Sequence, residues 1–220
     1  MDTARKTSSA TIVTAASASD LSPLESAIMD ACNAMHEARA GGASRLEHEL
    51  TSKLAALLQR YDETDGDNHP NSAWARPNQR ALAQSAMGRV DLAITTELTA
   101  LKYADTPRRK EISLGNIADR LIRLERFDEA VIYFMKAWTV APSSVPVMMT
   151  GAEALYGAGR PDEADAIFEA LGEMPELMTE HSELVAYLDF EPRLREMAEE
   201  LPSLRSLFGA RDEMRRARHA

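Results

Sequence analysis

A single cysteine, Cys32, is all the chain has, so an intrachain disulfide cannot form and a cysteine-based zinc site is excluded. Aromatic residues are 5% of the 220, and glycine and proline number 10 each, which argues against a β-sandwich or barrel built on many turns. Long apolar runs are missing. The longest, such as Val131 to Met135, fall far short of the roughly 20 residues that cross a bilayer, so no membrane span is expected. Positive charge is scarce as well: Lys and Arg total 25 against 35 Asp and Glu, a net charge of −10. That balance disfavours nucleic acid as a partner, because phosphate neutralisation needs clustered cations. Between Pro161 and Pro192 there are ten acids and no Lys or Arg, a stretch that equals the whole net charge.

What remains is 45% hydrophobic and 27% charged, enough apolar residue to bury a core in one domain or two small ones. Alanine- and leucine-rich runs predict helices. Residues 1–20 are mostly Ser, Thr and Ala and read as a flexible tail. Their apolar stretch is too short for a signal peptide, which makes the cytoplasm the expected location.

Ser22-Pro23 reads as a helix entry, with the apolar series Leu24, Ile28, Ala31 and Met35 running on to Gly41-Gly42. Ser44 and Glu47 form a capping box for a second helix, whose Leu46, Leu50, Leu54, Leu57, Leu58 and Tyr61 make one stripe. Residues 21–61 are therefore a helical hairpin, and 62–73 a loop rich in Gly, Asn and acids. The loop is no EF-hand: aligning Gly66 with the invariant glycine puts Ser72 where the last acidic ligand belongs.

From there the chain repeats itself. Glu125-Arg126-Phe127-Asp128-Glu129-Ala130 matches Gly159-Arg160-Pro161-Asp162-Glu163-Ala164, and Phe134 precedes Phe168 by the same 34 residues. Ala118, Ala152 and Ala186 are also spaced by 34, each twelve ahead of Ala130, Ala164 and Ala198. Upstream, Gly88-Arg89-Val90-Asp91-Leu92-Ala93 has the same form, but Ala93 lies 37 before Ala130. Small alanines at both crossing points let two helices approach to the short end of the usual ~8–10 Å separation.

This pattern resembles the tetratricopeptide repeat (TPR) family of 34-residue helix-turn-helix units. The matching residues are Leu114, Ile117, Ala118, Leu121, Ala130, Phe134, Ala137 and Pro142 in one unit, and Met148, Gly151, Ala152, Leu155, Ala164, Phe168 and Leu171 in the next. Arg80 and Gln84 stand in place of apolar residues in the first unit, and Pro202 in place of the aromatic in the last. The resemblance implies an all-α fold: an antiparallel helix-pair solenoid of three to four repeats over 74–202, preceded by the N-terminal hairpin and followed by an Arg-rich helix over 203–220. Stacked units of this family present an inner groove to a partner. Here that surface would take Asn78, Leu82, Asn116, Asp119, Ile122, Met149, Glu153, Tyr156, Glu183 and Tyr187. Relatives that clamp a terminal carboxylate carry Lys, Arg and Asn at these places. Here most of them are acidic or apolar, Asn116 being a fit, so an apolar or basic partner segment is expected.

Catalytic and cofactor patterns are missing. His36-Glu37 and His48-Glu49 lack the second histidine of a zincin, and Gly157-Ala158-Gly159 follows a helix rather than a strand. No nucleophile elbow or P-loop occurs. The sequence therefore reads as a non-enzymatic protein-interaction scaffold, a chaperone-like or regulatory adaptor without metal or cofactor. Two alternatives accompany it: self-assembly into a homo-oligomer through the 46–61 stripe, and an anionic contact through Arg211, Arg215 and Arg218. The tail cations are expected instead to pack back against the 161–192 acids.

Overall fold

A computed structural model describes residues 23–219, so the expected flexible tail and the Ser22 cap lie outside the described residues. The described residues form eleven α-helices: α1 (Pro23–Ala40), α2 (Ser44–Glu63), α3 (Ser72–Ala86), α4 (Val90–Lys102), α5 (Pro107–Arg123), α6 (Phe127–Val140), α7 (Val145–Gly157), α8 (Pro161–Gly172), α9 (Glu183–Phe190), α10 (Pro192–Met197) and α11 (Pro202–His219). No strand occurs among the described residues. The chain is an all-α repeat of antiparallel helix pairs, divided between Asp105 and Thr106 into two compact units.

One turn recurs in both units. Gly42, Gly88, Glu125 and Gly159 all have left-handed backbones, with φ of 66°, 80°, 57° and 73°. The amide that follows each bonds five residues back: Ala43 to Ala38, Arg89 to Gln84, Arg126 to Leu121 and Arg160 to Leu155, at 2.8–2.9 Å. These are Schellman endings, which satisfy the last carbonyls of one helix while aiming the chain into the next. In three of the four an arginine, Arg89, Arg126 or Arg160, is the N-cap of the second helix, and Arg126 and Arg160 fork onto Glu129 and Glu163 three residues on. The turn motif read from 125–130 and 159–164 is thus one structure repeated. It also closes the α1–α2 hairpin, where the sequence match had vanished.

The first unit, residues 23–105, has its core where α1 and α2 meet α3: Ile28, Met35, Leu50, Leu54, Leu57, Tyr61 and Leu82 are all buried. The α2 stripe is thereby consumed inside the chain. This corrects the seam expected for self-assembly, not self-assembly itself: Leu50, Leu54, Leu57 and Tyr61 are covered by the first unit's own helices, and of the stripe's leucines and tyrosine Leu46 stays exposed. The Ser44–Glu47 capping box is also corrected. Ala43 is the N-cap, no side chain caps it, and Glu47 pairs with Arg39 at 3.4 Å. Buried Glu25 accepts from the Tyr61 hydroxyl and sits 3.3 Å from His69 Nε2, tying the start of α1 to the loop before α3.

In the second unit, residues 106–219, α5 packs on α6 and α7, α6 on α7, and α7 on α8 and α9. Ala118, Ala130, Ala152 and Ala164 are fully buried, as crossing points require. Ala186 and Ala198 are only half-buried, and the last repeat breaks down. Arg193, 34 residues after Gly159, lies inside the short α10 rather than at a turn, because Glu191 caps a new helix that opens at Pro192. Helix α11 then packs on α8. Asp165 accepts from the Ser203 amide and hydroxyl at 2.9 Å each. Arg211 is buried, donates to the Leu188 carbonyl at 2.9 Å and pairs with Asp189 at 3.3 Å. Arg215 pairs with Asp189 and Arg218 with Glu180. These tail cations pair with acids of the 161–192 stretch inside the unit, Arg211 buried and Arg215 and Arg218 still half-exposed.

Candidate functional site

The ten residues expected to line a groove divide by unit and by exposure. Asn78 and Leu82 belong to the first unit and both are buried. Leu82 joins the core against α1 and α2, and Asn78 donates to Glu97 at 2.9 Å. In the second unit Asn116, Ile122 and Met149 are buried too. Asn116 Nδ2 has no hydrogen-bond partner among the described residues. Helical spacing alone cannot separate a residue on an open face from one a turn away that faces the next helix, which is why these five were grouped with the rest.

Asp119, Glu153, Tyr156, Glu183 and Tyr187 remain accessible to different degrees. Four of them converge. Asp119 on α5, Glu153 on α7, and Glu183 and Tyr187 on α9 lie close enough for their charges to act on one another, and Glu191, the N-cap of α10, joins them. Only 11% of the Glu153 side chain is exposed. Burial, then the negative charges of Glu191 and Asp119, push its carboxyl up to about 8; Arg193 opposes them from 3.8 Å. Glu191 is raised by burial as well, partly offset by the Arg193 amide that it accepts from. The Tyr187 phenol is held far above its usual range by burial and by Asp119, Glu153, Glu183 and Glu191 in turn. Tyr156 stands apart, hydrogen-bonded to Glu200.

The site is therefore a patch of carboxylates from three successive layers, opposed by the half-exposed Arg193 and by Arg123, which acts on Glu191. Burial favours the neutral acid, so the patch stores unmet demand for positive charge. Among the described residues no group of three or more His, Cys, Asp and Glu side chains is placed to hold a metal ion. No helix of the described residues is long and apolar enough to cross a membrane. Glu191 and Arg193 were missed from sequence. The dipeptide Glu191-Pro192 did carry a signal, since an acid directly before proline is a helix start, but the repeat pattern placed both residues in the middle of a unit.

No family model matches the chain, and no curated protein matches it. Among solved structures the chain is similar to a mutant of MamA at 20% identity, covering 88% of this chain and 94% of that one with a TM-score of 0.44. It is also similar to MamA AMB-1 at 19% identity, covering 88% of this chain and 99% of that one with a TM-score of 0.42.

Proposed function

We propose that the chain is a protein-interaction scaffold whose second unit holds a basic segment of a protein partner against Asp119, Glu153 and Glu191. The observation that carries this reading is the charge count of the patch: the carboxylates of Asp119, Glu153, Glu183 and Glu191 outnumber the two guanidinium groups that act on them, Arg193 at 3.8 Å from Glu153 and Arg123 near Glu191. A lysine or arginine of a partner supplies the missing cation, and the Tyr187 ring offers its alkyl stem an apolar surface.

The reading has a proton signature. With its carboxyl raised to about 8, Glu153 is mostly neutral at pH 7 and ionises when a cation arrives, so binding releases a proton. Affinity for an Arg- and Lys-rich peptide then rises between pH 6 and pH 8 by about tenfold, and Glu153→Gln flattens that slope. Calorimetry in buffers of different ionisation enthalpy reads the proton directly. An unchanged affinity in the triple variant Asp119→Asn, Glu153→Gln, Glu191→Gln would show that the basic segment binds elsewhere.

A further inference from the structure

Helix α9 does not complete its own end. Its last carbonyls need donors, and that of Leu188 would take the amide four residues ahead. Residue 192 is proline and has no N–H. The amides on either side are spent: Glu191 N–H bonds the Tyr187 carbonyl at 3.0 Å, and Arg193 N–H turns to the Glu191 carboxylate at 3.3 Å. The donor comes from the far end of the chain instead. Arg211 Nη1 donates to the Leu188 carbonyl at 2.9 Å in a buried bond and reaches the Asp189 carboxylate at 3.3 Å.

This guanidinium is held on its other sides as well. Its Nε and Nη2 donate to Asp212 at 3.0 and 2.6 Å, and its Cζ lies 4.9 Å from the centre of the Phe208 ring. Arg215 meets the same Asp189 but no carbonyl of α9. Helix α11 itself rests on α8, where Leu207 lies against Gly172 and Ser203 bonds Asp165. It therefore reaches α9 through long side chains, of which Arg211 is the buried one. What Arg211 holds is the break between α9 and α10, helices of eight and six residues, too short to keep a direction unaided. Tyr187 precedes Leu188, and Glu191 and Arg193 flank Pro192. We infer that α11 is a strap and Arg211 a positioning residue, which together fix the α9–α10 break and so hold Tyr187, Glu191 and Arg193 against Glu153. As regulation of the acidic patch this rests on the reading of that patch as a site for a basic segment: lifting α11 frees the break and loosens the hold.

The test uses the full chain with three substitutions. Arg211→Met keeps an apolar stem and removes the donors. Pro192→Ala gives the Leu188 carbonyl an amide of its own and lets α9 run on into α10. Arg215→Met takes a cation from Asp189 and leaves the carbonyl bond. Carbon-13 NMR of the Glu153 carboxyl, assigned with Glu153→Gln, reads the patch with no peptide present. In the unaltered chain burial, then Glu191 and Asp119, raise that carboxyl to about 8 against Arg193, while Glu183 and Tyr187 face it from α9. In Arg211→Met and in Pro192→Ala its titration falls toward the ordinary 4.5, by about tenfold or more in proton affinity; in Arg215→Met it moves by less than about twofold. Pro192→Ala gains a hydrogen bond and decides alone should Arg211→Met fail to fold. An unchanged Glu153 titration in either variant overturns the strap. A fall in Arg215→Met equal to that in Arg211→Met overturns it too, by assigning the effect to charge. Affinity for the Arg- and Lys-rich peptide is expected to drop at least about fivefold wherever the titration falls; an unchanged affinity there overturns the strap as regulator. A peptide that does not bind the unaltered chain overturns the reading of the patch, and the titration still decides the strap.

Discussion

In the second unit α6 lies along α7, with the Phe134 ring seated on Gly151; in the first, α2 barely touches α3. The helices that begin each pair behave alike, since α1 packs on α3 much as α5 packs on α7. The seam that differs is the one between the second helix of a pair and the first of the next. Counting nine residues on from each left-handed turn residue, Phe134 in α6 corresponds to Thr51 in α2. Counting eight back, Gly151 in α7 corresponds to Arg80 in α3. An aromatic ring on a glycine closes one seam. Thr51 bonds back to the Glu47 carbonyl and Arg80 pairs with Asp62, so these positions supply no such ring-on-glycine contact. The lesson is that the repeat keeps one packing surface for stability and leaves its other surface open to be closed or used, two residues at a time.

The largest test of this contrast is Phe134→Ala. It empties the closed seam, where Phe134 also stands edge-on to Trp138 at 5.4 Å, and costs about 3–4 kcal/mol. Denaturant unfolding read by Trp138 fluorescence in the second unit, with Trp74 reporting the first, locates the loss. Gly151→Ala attacks the same seam from the other side: a Cβ there overlaps the Phe134 ring, and the displaced aromatic costs about 2 kcal/mol on the same curve.

Electrostatics gives a third difference. Because the Glu153 carboxyl is raised to about 8, the folded state holds a proton that the unfolded chain has already released above pH ~4.5. The second unit therefore loses stability as pH rises from about 4.5 to 8. Glu153→Gln abolishes that loss and is more stable than the unaltered chain at pH 9 by about 1–2 kcal/mol, measured as the shift in denaturation midpoint between pH 5 and pH 9. A smaller gain comes from Glu125→Gly. Of the four left-handed turn residues only Glu125 carries a side chain, and relieving it stabilises by about 1 kcal/mol in thermal melts. Smallest of all is Arg80→Ala, at about 0.5 kcal/mol or less, since its ion pair with Asp62 is nearly half exposed on both sides. A large loss there would mean that the first seam is held together by Arg80 rather than opened by it.

Much of this was legible in the sequence for a plain reason: a left-handed turn followed by a helix start leaves residues at fixed offsets. Gly88, Glu125 and Gly159, each followed by arginine and by alanine five residues on, identify three hairpins before any coordinates. The first hairpin was found by its leucines, while its membership in the series was not. Met35 and Glu47 occupy its alanine positions, and only Gly42 keeps the turn. The open α2–α3 seam had a sequence trace as well, because Arg80 and Gln84 were the two departures from the apolar pattern in that unit. An exception to a pattern does not say whether it makes a hole or a patch on the surface. The acidic face was half legible: Asp119, Glu153 and Tyr187 share a repeat position, whereas Glu191 and Arg193 reach it only because the last repeat collapses into short helices.

Local chemistry was enough to settle that the chain is helical, where its hairpins turn and that its excess charge is negative, since each depends on residues within one or two turns of helix. Which seams close and which acids meet depend on neighbours 17 residues or more away along the chain, as Phe134 and Gly151 or Asp119, Glu153 and Glu191 are. Those were decided by packing, where one ring on one glycine, or one arginine in its place, changes the distance between whole helices.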